Sequence, residues 1–217
     1  MTRNLAGMDR KPILMVSSTV YGHEEELEVI YTLLTHFNYE VWMSHKGTIP
    51  VFSSGSAFQN CLEAVKKCDL FLGIITPEYG SGIEPNELSI THREMKEAIK
   101  LDKPRWFLAH DKVVFARAFL NDLGYRTLEQ RKELALKAKA KTISDLRVIQ
   151  MYEDATIQSI GEEERQGNWV QKYNSAADMN LFVHAQFSKY EDMLLRLDEY
   201  FKNIEQVKSN LNNQEDS

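Results

Sequence analysis

Cysteine is scarce in this chain of 217 residues, which has only Cys61 and Cys68. They fall on one expected helix at a separation too long for a bridge within it. The spacing is neither that of a C-x-x-C redox pair nor that of a zinc motif, so both read as buried thiols. Long apolar runs are missing too, since none reaches the roughly 18 residues that a membrane-spanning helix needs. Met1 to Lys11 lacks the apolar centre of a secretory signal, and the expected location is the cytoplasm, with no membrane partner. Nor is there an excess of positive charge. The 26 basic residues face 32 acidic ones, a net charge of −6, which gives no overall field to draw in nucleic acid. The six histidines (His23, His36, His45, His92, His110, His184) never stand at H-x-x-x-H or H-x-x-E-H spacing, so no metal site is expected.

What is present is a large apolar fraction, 43%, enough for one α/β domain with an appendage. Pro12 to Val16 is a continuous apolar strand of the kind buried on both faces of a parallel sheet. It ends in Ser17, Ser18 and Thr19, which either offer hydroxyls and amides to a phosphate or ribose or cap the next helix. A helix over Glu24 to Phe37, a strand over Val41 to Met43, a loop over Ser44 to Gly55 and a helix over Ala57 to Lys67 follow. The segment Asp69 to His110 then supplies an apolar run (Leu70 to Ile75), a turn-rich loop, a short amphipathic helix (Ile90 to Leu101) and a second apolar run (Trp106 to Ala109). This alternation specifies a doubly wound α/β sandwich with right-handed crossovers.

In such a sheet ligands bind at the carboxyl edge, which gathers Ser17, Ser18 and Thr19 from the first strand, Tyr79, Gly80 and Ser81 from the third, and His110 and Asp111 from the fourth. Tyr79 or Trp42 either stacks on a base or belongs to the core. Beyond the fourth strand, helices are expected over Val113 to Leu123 and Thr127 to Lys141. The basic run of the second (Arg131, Lys132, Lys137, Lys139, Lys141) reads as a solvated face. Leu146 to Tyr152 is either a fifth strand or a helix. Ser175 with Asp178 starts a helix that could run some thirty residues. Its seam of Phe187, Tyr190, Leu194, Leu197, Phe201, Ile204 and Leu211 packs on the chain's own body or zips to a second copy. The expected plan is a flexible arm (1–10), an α/β core (11–111), a completing or flanking extension (112–174), a long helix (175–211) and a disordered tail (212–217).

Lys11 to Thr19, Cys61 to Tyr79 with Gly80, the cluster Ser89, Ile90, Thr91, Glu94 and Ala98, and Lys103-Pro104 occur in this order. Together they resemble the bacterial family called domain of unknown function 4062, found alone or ahead of defence and NTPase domains. That family is similar in outline to nucleoside 2-deoxyribosyltransferases, whose S/T-x-x-E-x-x-x-A-x-x-x-x-K-P pattern matches Thr91, Glu94, Ala98, Lys103 and Pro104. It is similar also to TIR domains, where a glutamate after a comparable loop cleaves the nicotinamide bond of NAD. The resemblance implies a flavodoxin-like, TIR-like fold with Glu94 catalytic. It implies NAD or a related nucleotide as substrate, no cofactor, and a homo-oligomer or a defence-system partner protein. The loop here departs from those groups in being long and acidic (Glu84, Glu87).

Cleaving a ribose N-glycosidic bond creates an oxocarbenium-like centre, which one carboxylate can stabilise or capture. With NAD the departing nicotinamide starts as a cation, so no general acid is required. The competing role for Glu94 is structural. Thr91-x-x-Glu94 has the form of a capping box, with the threonine as N-cap and the glutamate bonding back to the cap amide. Three functions are therefore carried forward: NAD hydrolase or cyclase, nucleoside or nucleotide deoxyribosyltransferase or glycosidase, and a non-enzymatic nucleotide-sensing or oligomerising adaptor.

Overall fold

The computed structural model describes residues 10–80, 88–137 and 140–215. The chain runs β1 (Ile13–Ser18), α1 (Glu24–His36), β2 (Glu40–Trp42), α2 (Ala57–Lys67), β3 (Leu70–Ile75), α3 (Ile90–Lys100), β4 (Arg105–His110), α4 (Asp111–Asp122), α5 (Leu128–Lys132), α6 (Arg147–Ala155), β5 (Val170–Tyr173), α7 (Ala176–Phe187) and α8 (Tyr190–Glu215). The strands form one parallel sheet in the order β2-β1-β3-β4-β5. This is the flavodoxin-like arrangement, and the direction of winding reverses between β1 and β3. The two strands diverge in their connections there, leaving a crevice at their carboxyl ends.

Alternation along the strands divides the core into two halves. Leu14, Val16, Leu70, Leu72 and Leu108 point to one face, where α1, α7 and α8 cover them through Leu27, Ile30, Phe182, Phe187 and Leu197. Met15, Phe71, Phe107 and Ala109 point to the other, against Val65 of α2, Met95 and Ala98 of α3, Val113 of α4 and Ile149 of α6. Gly73 in β3 is fixed by packing, because a Cβ there would lie 2.6 Å from the Phe107 ring. Gly73→Ala is expected to cost about 1–3 kcal/mol by overpacking, read as a lower midpoint in thermal unfolding.

One open alternative is decided and two sequence expectations need correction. Leu146 to Tyr152 is no strand: Val148, Ile149, Met151 and Ala155 are buried along the helix α6, and the fifth strand is Val170–Tyr173 beside β4. Of the helix expected over Thr127 to Lys141, the described residues form only Leu128–Lys132, Lys139 lies outside them, and Arg131 is fully buried rather than solvated. The single C-terminal helix is two, since α7 stops at Phe187, whose carbonyl accepts a hydrogen bond from the Tyr39 hydroxyl at 3.2 Å. The break lets Phe187 and Leu197 both enter one core, with Tyr190 and Phe201 packed against it. That places the described part of the seam on the chain's own body. At the other end Arg10 pairs with buried Asp69 at 2.7 Å. The rest of the expected arm, residues 1–9, and the last two of the expected tail lie outside the described residues, whereas α8 runs on through Glu215.

Candidate functional site

The site begins with where α3 starts. Two hydroxyl residues compete for its N-cap, and Ser89 takes it, accepting a hydrogen bond from the His92 amide at 3.3 Å. Thr91 is therefore inside the helix and buried, and the capping box expected from Thr91 and Glu94 does not form. Glu94 falls beyond the first turn, on the face that packs toward β1 and α2.

There its carboxylate accepts a hydrogen bond from the Ser17 hydroxyl at 2.5 Å. The Cys61 thiol is a second partner. Only 4% of Glu94 is exposed. Burial raises its pKa above the ordinary value, and the hydrogen bonds from Ser17 and Cys61 offset that only in part. Among the described residues no cation contributes to the balance. Loss of solvent thus dominates, the condition in which a carboxyl holds its proton and gains most from a positive charge placed beside it. The same contact, with burial as the larger cause, pushes the Cys61 thiol up to about 12. Cys61 is a neutral donor to Glu94 and no nucleophile.

The loop after β3 closes on the same point. Gly80 has φ +95°, and a Cβ there would lie 3.0 Å from the Thr19 hydroxyl and 3.8 Å from that of Thr91. Ser17, Thr19, Gly80, Thr91 and Glu94 are thus brought together where β1 and β3 diverge. Ser17, Ser18 and Thr19 do not cap α1, whose N-cap is His23 with no side-chain bond. Ser18 instead donates to the Thr19 carbonyl.

The remaining expected residues sit apart from this group. Tyr79 is buried and forms a chain: its hydroxyl is 2.8 Å from His92 Nδ1, and His92 Nε2 is 2.9 Å from Asp154 Oδ2. With Asp154 ionised, His92 Nε2 donates to it. Trp42 is buried, with its indole N–H on Glu40. Neither ring is a stacking platform. His110 caps α4 by accepting from the Lys112 amide at 3.1 Å, and its ring leans on Tyr173. Burial lowers its pKa, with Lys112 and His23 adding to the effect. Asp111 is the exposed first residue of α4. Both lie on the rim but neither is a partner of Glu94. Ser81, Glu84 and Glu87 fall outside the described residues.

Sequence reasoning missed Cys61, His92 and Asp154. A lone cysteine on the inner face of a helix carries the same signal as any core residue, and the partner of His92 is 62 positions away. Asp154 marks how firmly this region is tied. Burial works against its charge, but hydrogen bonds from His92 and Gln150, with Lys96 beside them, win and bring it from 3.8 to about 2. Stability from that charge is full above the ordinary aspartate range and is lost as pH falls toward 2. Asp154→Asn should cost about 2 kcal/mol at neutral pH. In urea unfolding, the difference from wild type should shrink below about pH 4.

Among the described residues, cavities of about 650, 500, 500 and 400 Å³ open on the surface, and neither Glu94 nor Ser17 lines any of these four. Among the described residues no three His, Cys, Asp or Glu side chains converge to hold a metal ion. No helix among them is long and apolar enough to cross a membrane.

A flavodoxin-like α/β protein with an acid at its switch point is the class that fold and site define. The chain belongs to the family described as domain of unknown function (DUF4062), whose model matches residues 14–199. That span runs beyond the segment carrying the sequence resemblance and takes in β5 and α7. No protein of curated function matches the sequence. Among solved structures, a conserved protein from Enterococcus faecalis V583 is similar at 10% identity, covering 81% of this chain and 99% of that one, with a TM-score of 0.40.

Proposed function

We propose that this chain cleaves the N-glycosidic bond of a nucleotide, NAD foremost, with Glu94 as the carboxylate that stabilises or captures the ribosyl centre. The observation that carries the reading is the state of Glu94. It is a buried acid turned away from its own helix backbone, held by two neutral donors, at the sheet edge where this fold class takes ligands. As the bond to nicotinamide breaks, its electron pair goes to the departing ring, which leaves neutral, and positive charge develops on the sugar. Glu94 meets that charge in its ionised form, and a carboxylate whose ionisation is opposed mainly by desolvation is stabilised by a cation beside it. Water then adds to the anomeric carbon and passes its proton to the Glu94 carboxylate, or a group within the nucleotide adds through a lone pair and closes a ring. Ser17 and Cys61 hold the carboxylate oxygens in place, and Thr19 and Thr91 offer further hydroxyls to the ribose. In this reading the protein acts in the cytoplasm, in antiviral defence or nucleotide signalling, as a homo-oligomer or with a partner protein.

The burial of Glu94, only 4% exposed, favours a second reading: a non-enzymatic module that senses a nucleotide or recruits a partner. One experiment separates them. The full chain at high concentration is incubated with NAD and, in parallel, with deoxynucleosides and nucleotides, and free base is measured. Nicotinamide from NAD supports the first reading. Free base from deoxynucleosides in place of NAD turns it into a deoxyribosyltransferase or glycosidase. Release from none of them leaves the binding module.

A further inference from the structure

The outward side of α4 is apolar where solvent would favour charge. Phe115 is 68% exposed, Phe119 52%, and Leu123, just past the helix end, 57%. The two phenylalanine rings stack at 6.0 Å with 7° between their planes, forming one flat plate. The helix is anchored on its opposite side by buried Val113 and by Arg117, which donates to Glu153 at 2.9 Å. The plate is therefore a surface in its own right and no displaced part of the core.

The stripe also has charge at both ends. Lys112, Phe115, Phe119 and Asp122 follow one another at spacings of three, four and three, which aligns them along one side of the helix, and all four are exposed. The pattern is its own reverse complement. Turning the helix about a two-fold axis at the level of Arg117 puts Lys112 where Asp122 was and Phe115 where Phe119 was. From this we infer that α4 takes a second copy of this chain, packed antiparallel across that two-fold axis. Lys112 then meets the partner's Asp122, Phe115 meets the partner's Phe119, and each contact is made twice, as a two-fold interface requires. Ala116 and Ala118 flank the stripe with small side chains that let the helices approach to about 8–10 Å. A parallel pairing would set Lys112 against Lys112 and Asp122 against Asp122, so the charges select the antiparallel register. A surface of this size supports a weak, concentration-dependent dimer and no permanent one.

Sedimentation velocity of the full chain over a wide concentration range tests this, with Lys112→Asp and Asp122→Lys as variants. Both changes suit the helix dipole, an acid in the first turn and a base in the last, so neither undermines α4, and circular dichroism confirms it. Wild type should pass from monomer to dimer, and each variant should weaken the dimer about ten-fold or more by creating two like-charge contacts. An equimolar mixture of the two variants should dimerise again, because it restores both opposite-charge pairs. A wild-type chain that stays monomeric throughout overturns the inference. So does a dimer that the single variants leave unchanged or that their mixture fails to restore.

Discussion

Glu94→Gln is expected to lower base release from NAD by on the order of 10²–10³-fold, the effect of removing one preorganised group that meets developing charge. The variant should stay folded and be more stable than wild type at neutral pH. The sign follows from the raised pKa. In the unfolded chain Glu94 ionises in its ordinary range near 4.5, and in the folded chain above it. Between those values the folded state keeps a proton that the unfolded state has lost. Wild-type stability therefore falls as pH rises through that window and stays lower above it. Glutamine cannot ionise and still accepts from Ser17, so it escapes the penalty. Calorimetry of both proteins from about pH 4 to pH 8 checks this. Melting curves that shift together at every pH would show that Glu94 carries no such strain. A residue kept at a cost to stability is what a functional role predicts.

Arg131→Met should destabilise the fold by about 3–5 kcal/mol, read in urea unfolding as a lower midpoint with unchanged slope. The Arg131 guanidinium is fully buried and bonds Glu153 through both terminal nitrogens, at 2.9 and 2.8 Å. It also donates to the carbonyls of Tyr125 and Arg126, at 3.1 and 3.0 Å, and to Asn121 Oδ1 at 3.2 Å. One side chain thereby fastens the chain after α4 to α6. Methionine fills the volume but leaves Glu153 with Arg117 alone and strips two carbonyls of a donor. Arg131→Lys should recover only part of the loss, since an ammonium cannot reproduce the two-pronged contact. A loss below about 1 kcal/mol for the methionine variant would mean the network is solvated and weak.

The alternation of apolar strands with amphipathic helices made β1, β3, α3 and β4 legible, because each is buried in a pattern that few other arrangements satisfy. Ser17 was legible for the same reason, since once the sheet is parallel its carboxyl edge is fixed, whereas Glu94 was singled out through the family resemblance, its spacing alone favouring a cap. What could not be read depends on contacts between distant parts of the chain. Val170–Tyr173 is short and mixed in character, and it is a strand because β4 offers an unpaired edge, with Tyr173 opposite His110. Arg131 looks like any helix lysine or arginine until Glu153 is folded against it. The break between α7 and α8 has no proline or glycine to announce it; it follows from two apolar faces reaching one core. The cap of α3 was a contest between Ser89 and Thr91 that spacing alone does not decide. Its outcome frees Glu94 from the backbone.

The Glu94 carboxyl is desolvated, and its hydrogen bonds from Ser17 and Cys61 offset that only in part. A carbon-13 titration of the glutamate side-chain carboxyls, with the Glu94 resonance assigned by its loss in Glu94→Gln, reads that state directly. A midpoint above the ordinary value of 4.5 is the expected result. A midpoint at or below that value would mean a solvated or charge-paired acid, and the proposed chemistry would lose its foundation.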